Sequence, residues 1–348
     1  MRVAALAAAL LLAFSALACA EPSKSLTIPI VKQEYPGYPP VRLANVRVLS
    51  LGDRKVDFPL LFDTGSAGVT IDCNLVLPWE LCAPDGIKIE QELISDSIRV
   101  TTRRIVAQYG TYDEYGNLAY ARMSLGDAAH NVTTSEMPVL IRYKKVRRQT
   151  GEVVGGPLWP RGIVGVSPLG AQAGGLLHSP MDYIDPPEGL TRGFYLTPLG
   201  EVWVTCMHEF DECPSVDALH IGIDAETKAQ FEMVPLGASR SEHYIGFVDA
   251  CLYWYGRQSC VPTLYDTGNS TIAIAGPPPE GADMALPIST KVTLVGPNKT
   301  KWEFPTLYVP EVEFAPNSDI NLIGIRYFET NGLLFDLELG QIGFRIER

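Results

Sequence analysis

The chain has 348 residues, with 28 Lys and Arg against 40 Asp and Glu, a formal net charge of −12. Hydrophobic residues make up 46% and charged residues 20%, which excludes a disordered chain. The acidic balance offers no basic field to steer a nucleic acid or an anionic membrane, so neither is expected as a partner. At roughly 100–200 residues per domain the length predicts two domains or lobes. The 31 Gly and 27 Pro, with β-branched runs between them, predict many short strands joined by turns.

In chain order, Met1-Arg2 gives a positive start, Val3 to Ala18 is almost wholly apolar, and Ala18-Cys19-Ala20 closes with small residues. Residues 1–20 therefore read as a secretory signal peptide, cut before Glu21. The apolar run is short for a membrane span, which needs about 20 residues, and no later segment reaches that length. A second reading cuts before Cys19 and attaches a lipid there, but Ala16-Leu17-Ala18-Cys19 is a poor version of that signal. The expected location is secreted or periplasmic, with a lipid anchor at Cys19 as the lesser alternative.

Export makes the other six cysteines legible. They fall into close pairs, Cys73/Cys82, Cys206/Cys213 and Cys251/Cys260, and nearest-neighbour pairing closes three small loops at low entropic cost. Three disulfides are predicted. A zinc site is the weaker reading, because no pair has ligand spacing and His130, His178, His208, His220 and His243 form no cluster. No metal and no cofactor is expected.

The remainder reads as two copies of one plan. Val56 to Phe62 leads into Asp63-Thr64-Gly65-Ser66 and then Val69-Thr70-Ile71; Val261 to Tyr265 leads into Asp266-Thr267-Gly268-Asn269 and then Thr271 to Ile274. At average residue usage Asp-Thr-Gly should occur ~0.07 times in such a chain, so two copies in matching contexts are not accidental. Each copy is followed by an apolar pair and a glycine, Ile163-Val164-Gly165 and Leu322-Ile323-Gly324. Glycine within a strand marks close approach of another backbone; the expected neighbour is the Asp-Thr-Gly loop of the same half.

These residues resemble the pepsin-like aspartic proteases over nearly the whole mature chain. The resemblance implies an all-β, bilobal fold with the active-site cleft between an N-terminal lobe (21–190) and a C-terminal lobe (191–348). It implies that Asp63 and Asp266 are catalytic, supported by Thr64, Gly65, Ser66, Thr267, Gly268 and Asn269. Tyr109-Gly110-Thr111 lies where that family carries its flap hairpin over the cleft, with a turn expected at Asp113 to Asn117. Cys251 and Cys260 precede the second Asp-Thr-Gly as a family disulfide does. Leu219 to Asp224 is similar to the strand opening the second lobe, and Leu333 to Asp336 with Gln341 to Phe344 to the closing hairpin.

The chemistry explains the residue types. Two carboxyl groups about 3 Å apart cannot both ionise, so they share a proton, one serving as base toward a water and the other as acid toward a carbonyl. The residue pattern leaves open which does which. Glycines let backbone amides approach the carboxylates, the threonines can bond between the loops, and Ser66 can donate to Asp63. Asn269 departs from the Ser or Thr usual in the family, although an amide can also donate; it is expected to be buried. Asn131, Asn269 and Asn298 head glycosylation sequons.

Other departures concern activity. Only 42 positions separate Glu21 from Asp63, which leaves little room for a basic inhibitory propeptide. Asp63 to Gly165 spans 102 positions and Asp266 to Gly324 only 58, so the second lobe is expected to be reduced. Lys144-Lys145-Val146-Arg147-Arg148 reads as an exposed basic loop. The functional expectation is a monomeric, exported aspartic endopeptidase acting on polypeptides at acid pH; the alternative is a catalytically silent pepsin-like binding or inhibitor protein.

Overall fold

The computed structural model describes residues 24–35, 40–154, 161–168, 170–206, 213–237 and 246–345. The signal-like segment, the Cys19 reading, His208 and His243 lie outside these residues.

The two halves repeat one strand topology around their Asp-Thr-Gly loops. In the first, Arg54–Asp63 runs parallel to Gly162–Val166, pairing Leu61 with Ile163 and Asp63 with Gly165. The chain turns through the loop into Ala67–Asp72, which lies antiparallel to Gly162–Val166 and parallel to Met137–Arg147. In the second half, Arg257–Tyr265 runs parallel to Asn321–Ile323. Ile272–Ala275 then meets Asn321–Ile323 antiparallel at Ala273 and Leu322, and runs parallel to Val312–Ala315. The central strands are covered on both faces. Ala67–Asp72 and Gly162–Val166 are buried at every residue, which is why Gly162–Val166 reads as a continuous apolar run and not as an alternating one.

The glycines sit where the repeat predicts. A Cβ on Gly165 would lie 2.8 Å from the Ser66 carbonyl oxygen, and one on Gly324 would lie 2.6 Å from that of Asn269. Each meets the loop of its own half.

A sixteen-stranded sheet holds the Asp63 half, and a separate seven-stranded sheet holds the Asp266 loop. The larger sheet also draws strands from late in the chain. Leu26–Tyr35 pairs with Ser215–Ile223, and Leu333–Asp336 pairs with Thr191–Leu196, so the halves share one backbone ladder. Side chains add to it. Buried Lys32 donates through Nζ to the carbonyls of Leu199 (2.7 Å) and Gly200 (2.6 Å). Glu329 accepts from Arg42 at 2.8 Å and from the Trp203 indole at 2.6 Å.

The cysteines pair as Cys73–Cys82, Cys206–Cys213 and Cys251–Cys260. Among the described residues no helix is long and apolar enough to cross a membrane.

Two local expectations are corrected. The run Lys144 to Arg148 is not an exposed loop: as far as Arg147 it belongs to the strand Met137–Arg147. Its cations are absorbed by neighbours, with Lys144 over the Tyr115 ring at 4.4 Å and buried Lys145 over Tyr112 at 4.3 Å. Nor do Asp113 to Asn117 form a turn. They lie inside the strand Tyr112–Ala121, and the hairpin reverses earlier, at Gly110-Thr111, where Gly110 takes φ +46°. The polar composition that mimics a turn is explained by Glu114, whose carboxylate is buried against Arg142.

Candidate active site

Both Asp-Thr-Gly loops come at the ends of strands whose last residues are buried, so each aspartate is delivered by a rigid element. The loops interlock through their threonines. Thr64 Oγ1 donates to the Tyr265 carbonyl (2.8 Å) and Thr267 Oγ1 to the Phe62 carbonyl (2.7 Å). The Thr64 amide donates to Thr267 Oγ1 (3.1 Å) and the Thr267 amide to Thr64 Oγ1 (3.0 Å). These four reciprocal bonds between fully or almost fully buried residues fix the spacing of the loops. At about 1 kcal/mol net each, they also tie the halves together at the site.

That spacing sets the carboxyl groups side by side. The Gly65 amide donates to Asp63 Oδ1 at 2.8 Å, and the Gly268 amide to Asp266 Oδ1 at 2.7 Å. The glycines are required by the opposite aspartate. A Cβ on Gly65 would fall 2.4 Å from Asp266 Cγ, and one on Gly268 would fall 2.7 Å from Asp63 Cγ. Burial pushes the Asp266 carboxyl well above the usual carboxylate range, and the charge of Asp63 and the hydrogen bond shared with it push further in the same direction. Two carboxyl groups this close hold one proton between them more readily than none.

The fourth residues of the loops differ. Ser66 Oγ donates to Asp63 Oδ2 at 2.5 Å. Asn269 does not do this for Asp266. Its side-chain oxygen accepts from the Thr271 amide (3.0 Å) and hydroxyl (3.1 Å), turning the amide toward its own loop. It is half-buried and not buried as expected. Local side-chain to backbone bonding is the usual alternative for Asn in a turn, and here it wins.

The strands Ile98–Tyr109 and Tyr112–Ala121 form a long hairpin. Tyr109 stands at its tip with Gly110 and Thr111. The ring is buried among Leu43, Leu61, Leu140, Ile163 and Leu177, not spread over open space. Among the described residues its hydroxyl makes no hydrogen bond of normal geometry. Burial, then the negative charges of Glu114 and Asp63, push that hydroxyl well above the usual phenol range, so Tyr109 lies within the field of the aspartate pair.

An ion network that the sequence did not reveal sits behind this hairpin. Arg142, 1% exposed, donates to Asp72 at 2.9 and 2.7 Å and to Glu114. Arg161 donates to Asp72 at 2.6 Å, and Thr70 to Glu114 at 2.7 Å. The members come from four separated segments, which is why spacing along the chain could not find them. No group of three or more His, Cys, Asp or Glu side chains converges as a metal site among the described residues.

The solved structure described as "Crystal structure of Basic 7S globulin from soybean" matches with a TM-score of 0.56 over 93% of this chain and 96% of that chain, at 14% identity. The chain has the bilobal pepsin-like fold. In all, 383 solved chains match, so the architecture is widely shared, and a widely shared fold carries no function by itself. No protein-family model and no curated protein matches the chain.

Proposed function

We propose that the protein is an exported aspartic endopeptidase that uses Asp63 as base and Asp266 as acid. The observation that carries this reading is the pair of interlocked loops, which sets the carboxyl groups of Asp63 and Asp266 against each other, the arrangement in which two carboxyl groups share one proton. Asp63 accepts from the Gly65 amide and the Ser66 hydroxyl, which hold its carboxyl group in place for the role of base. It would take a proton from a water as the water oxygen attacks the scissile carbonyl carbon. Asp266 would give its proton to the carbonyl oxygen, producing a tetrahedral diol. In the second step Asp63 passes its new proton to the amide nitrogen, a diol hydroxyl returns one to Asp266, and the C–N bond breaks. The dyad ends as it began. The three disulfides support an oxidising compartment.

A second reading is a pepsin-like scaffold that binds polypeptide without cutting it. What favours it is the matching solved structure, which is called a globulin and not a protease. Incubation with an unfolded protein substrate across acid pH, with and without a statine-type inhibitor, separates the two. Cleavage blocked by the inhibitor is expected. Substrate binding with no cleavage anywhere between pH 2 and 6, roughly the range in which one carboxyl of such a pair holds a proton, would establish the binding reading instead.

A further inference from the structure

The hairpin that carries Tyr109 ends in a two-residue turn. Tyr109 and Tyr112 close it as a hydrogen-bonded pair, so the next pair, Gln108 and Asp113, is a non-bonded one. Gln108 must then present its amide and carbonyl outward. Leu93–Ser95 pairs only with Ile98–Val100 along that strand, and does not reach them. The gap is filled by one side chain. Gln172 Oε1 accepts from the Gln108 amide at 3.2 Å, and Gln172 Nε2 donates to the Gln108 carbonyl at 2.9 Å. Its carboxamide does what a peptide unit of a neighbouring strand would do.

Gln172 is placed to hold as well as to fill. It is 4% exposed and belongs to the small hairpin Ala171–Gln172 with Leu177–His178. Leu177 packs with Tyr109 in one apolar cluster. It also presses on the chain just after Asp63, where a Cβ at Gly68 would come within 2.6 Å of Leu177 Cβ. One short hairpin thus touches the aspartate loop with one strand and grips the arm, one residue before Tyr109, with the other.

We propose that Gln172 is a positioning residue: a surrogate peptide group that latches the tip of the arm and so fixes Tyr109 over the Asp63 side of the pair. The consequence for turnover rests on the peptidase reading; the latch itself does not. A carboxamide offers one acceptor and one donor, and Gln108 needs both. Gln172→Leu keeps the volume and loses both bonds. Gln172→Glu keeps both while its carboxyl is protonated, and loses the donor when it ionises. Burial against a carbonyl raises the pH at which that happens. Among the described residues, strand pairing brings two titratable residues to its neighbourhood, His178 on the facing strand and Asp113 opposite Gln108.

The test follows hydrogen exchange at the Gln108 amide together with kcat/KM on a peptide substrate, each as a ratio to the wild type at the same pH. For Gln172→Leu the amide should exchange at least about tenfold faster and kcat/KM should fall about tenfold, the net worth of one to two hydrogen bonds. In amide exchange Gln172→Glu should match the wild type near pH 4 and approach Gln172→Leu near pH 7; its kcat/KM, read at acid pH where the wild type turns over, should match the wild type near pH 4. Because that variant switches within one folded sample, a folding defect cannot imitate it. Unchanged protection of Gln108 in both variants would overturn the latch. Faster exchange with undiminished turnover would overturn its role in positioning Tyr109. Faster exchange in a protein whose wild type cleaves nothing would uphold the latch and reject the peptidase reading alone.

Discussion

Asp63 and Asp266 leave their strands by the same route and arrive in different surroundings. The shared part is backbone. Each strand runs parallel to a strand that contains or leads into a glycine, Gly165 or Gly324; the Gly65 and Gly268 amides each donate to the aspartate of their own loop; and each loop's fourth carbonyl is held by an amide just beyond Gly165 or Gly324, Ser167 to Ser66 at 2.8 Å and Ile325 to Asn269 at 2.7 Å. The side chains diverge. Asp63 has the Ser66 hydroxyl, the long hairpin and the Arg142 network near it. Asp266 follows Tyr265, which packs edge-on against Tyr327 and Phe344, and its neighbour Asn269 faces away. The duplication supplies two equivalent backbone positions, and the unequal side chains place the two carboxyl groups in different surroundings.

The largest expected effect breaks both positions at once and then separates them. Asp63→Asn and Asp266→Asn should each lower kcat by at least about a thousandfold, since each removes one of the two proton-transfer roles; residual turnover within tenfold of wild type would exclude the dyad. Stability should tell them apart. Asp266 holds its proton more tightly folded than unfolded. Its stabilising contribution is therefore present at acid pH, below the ordinary carboxylate range, and is lost as pH rises through the raised folded value. Asp266→Asn removes that loss, so its Tm at neutral pH should equal or exceed the wild type. Asp63→Asn turns an amide toward the Ser66 and Gly65 donors and should lower Tm. Thermal melts at pH 4 and 7 decide it.

Next come the ion networks. Arg142→Leu should cost about 3–5 kcal/mol, because it removes the buried cation that Asp72 and Glu114 share and leaves them only the weaker support of Arg161 and Thr70. In the other half, Arg326 pairs with the single carboxylate of Glu311 and is more exposed, so Arg326→Leu should cost less. Denaturant unfolding of both variants measures the difference; equal costs would mean that the hairpin side is not specially dependent on its charges.

Much of this contrast between the halves is legible in the amino-acid sequence. Asp63 and Asp266, the pairing of glycines 165 and 324 with their loops, and the cysteine pairs all follow from short-range pattern, because each depends on residues close in sequence or on an exact repeat. What escapes is whatever depends on distant segments meeting. Glu114 reads as turn material because Asp113 to Asn117 is polar, and only Arg142, 28 positions on, makes it a strand residue. Lys145 reads as solvated for the same reason. Gln172 carries no signal at all, since its function lies in two bonds to a backbone 64 positions earlier. The Asn269 side chain is legible as a departure but not in its direction, which is set by Thr271.

Tyr109 sharpens the contrast at smaller scale. Among the described residues its buried hydroxyl makes no hydrogen bond of normal geometry, so Tyr109→Phe should leave stability unchanged or raise it by about 1 kcal/mol. Tyr109→Ala, which empties a packed cluster, should cost about 3–5 kcal/mol. A Phe variant destabilised as much as the Ala variant would show that the hydroxyl is satisfied after all.

The smallest effect goes to the origin of the asymmetry. Ser66 gives Asp63 a hydroxyl donor, whereas Asn269 spends its oxygen on Thr271 and gives Asp266 none. Asn269→Ser should restore the missing donor. A hydrogen bond to the ionised form favours ionisation, so Asp266 would release its proton at lower pH. Under the peptidase reading the basic limb of the pH–rate profile reports loss of that proton, and it should move toward acid by up to about one unit, equivalent to about 1.4 kcal/mol. The acidic limb, which reports protonation of the base at Asp63, should stay in place. Serine can also cap the turn as Asn does, though more weakly, so Tm should fall by less than about 1 kcal/mol equivalent. If both limbs move together, the donors at 66 and 269 act on the pair as a whole and the assignment of base and acid to separate halves fails. If only the basic limb moves, the fourth residue of each loop is what makes two copies of one motif do two different jobs.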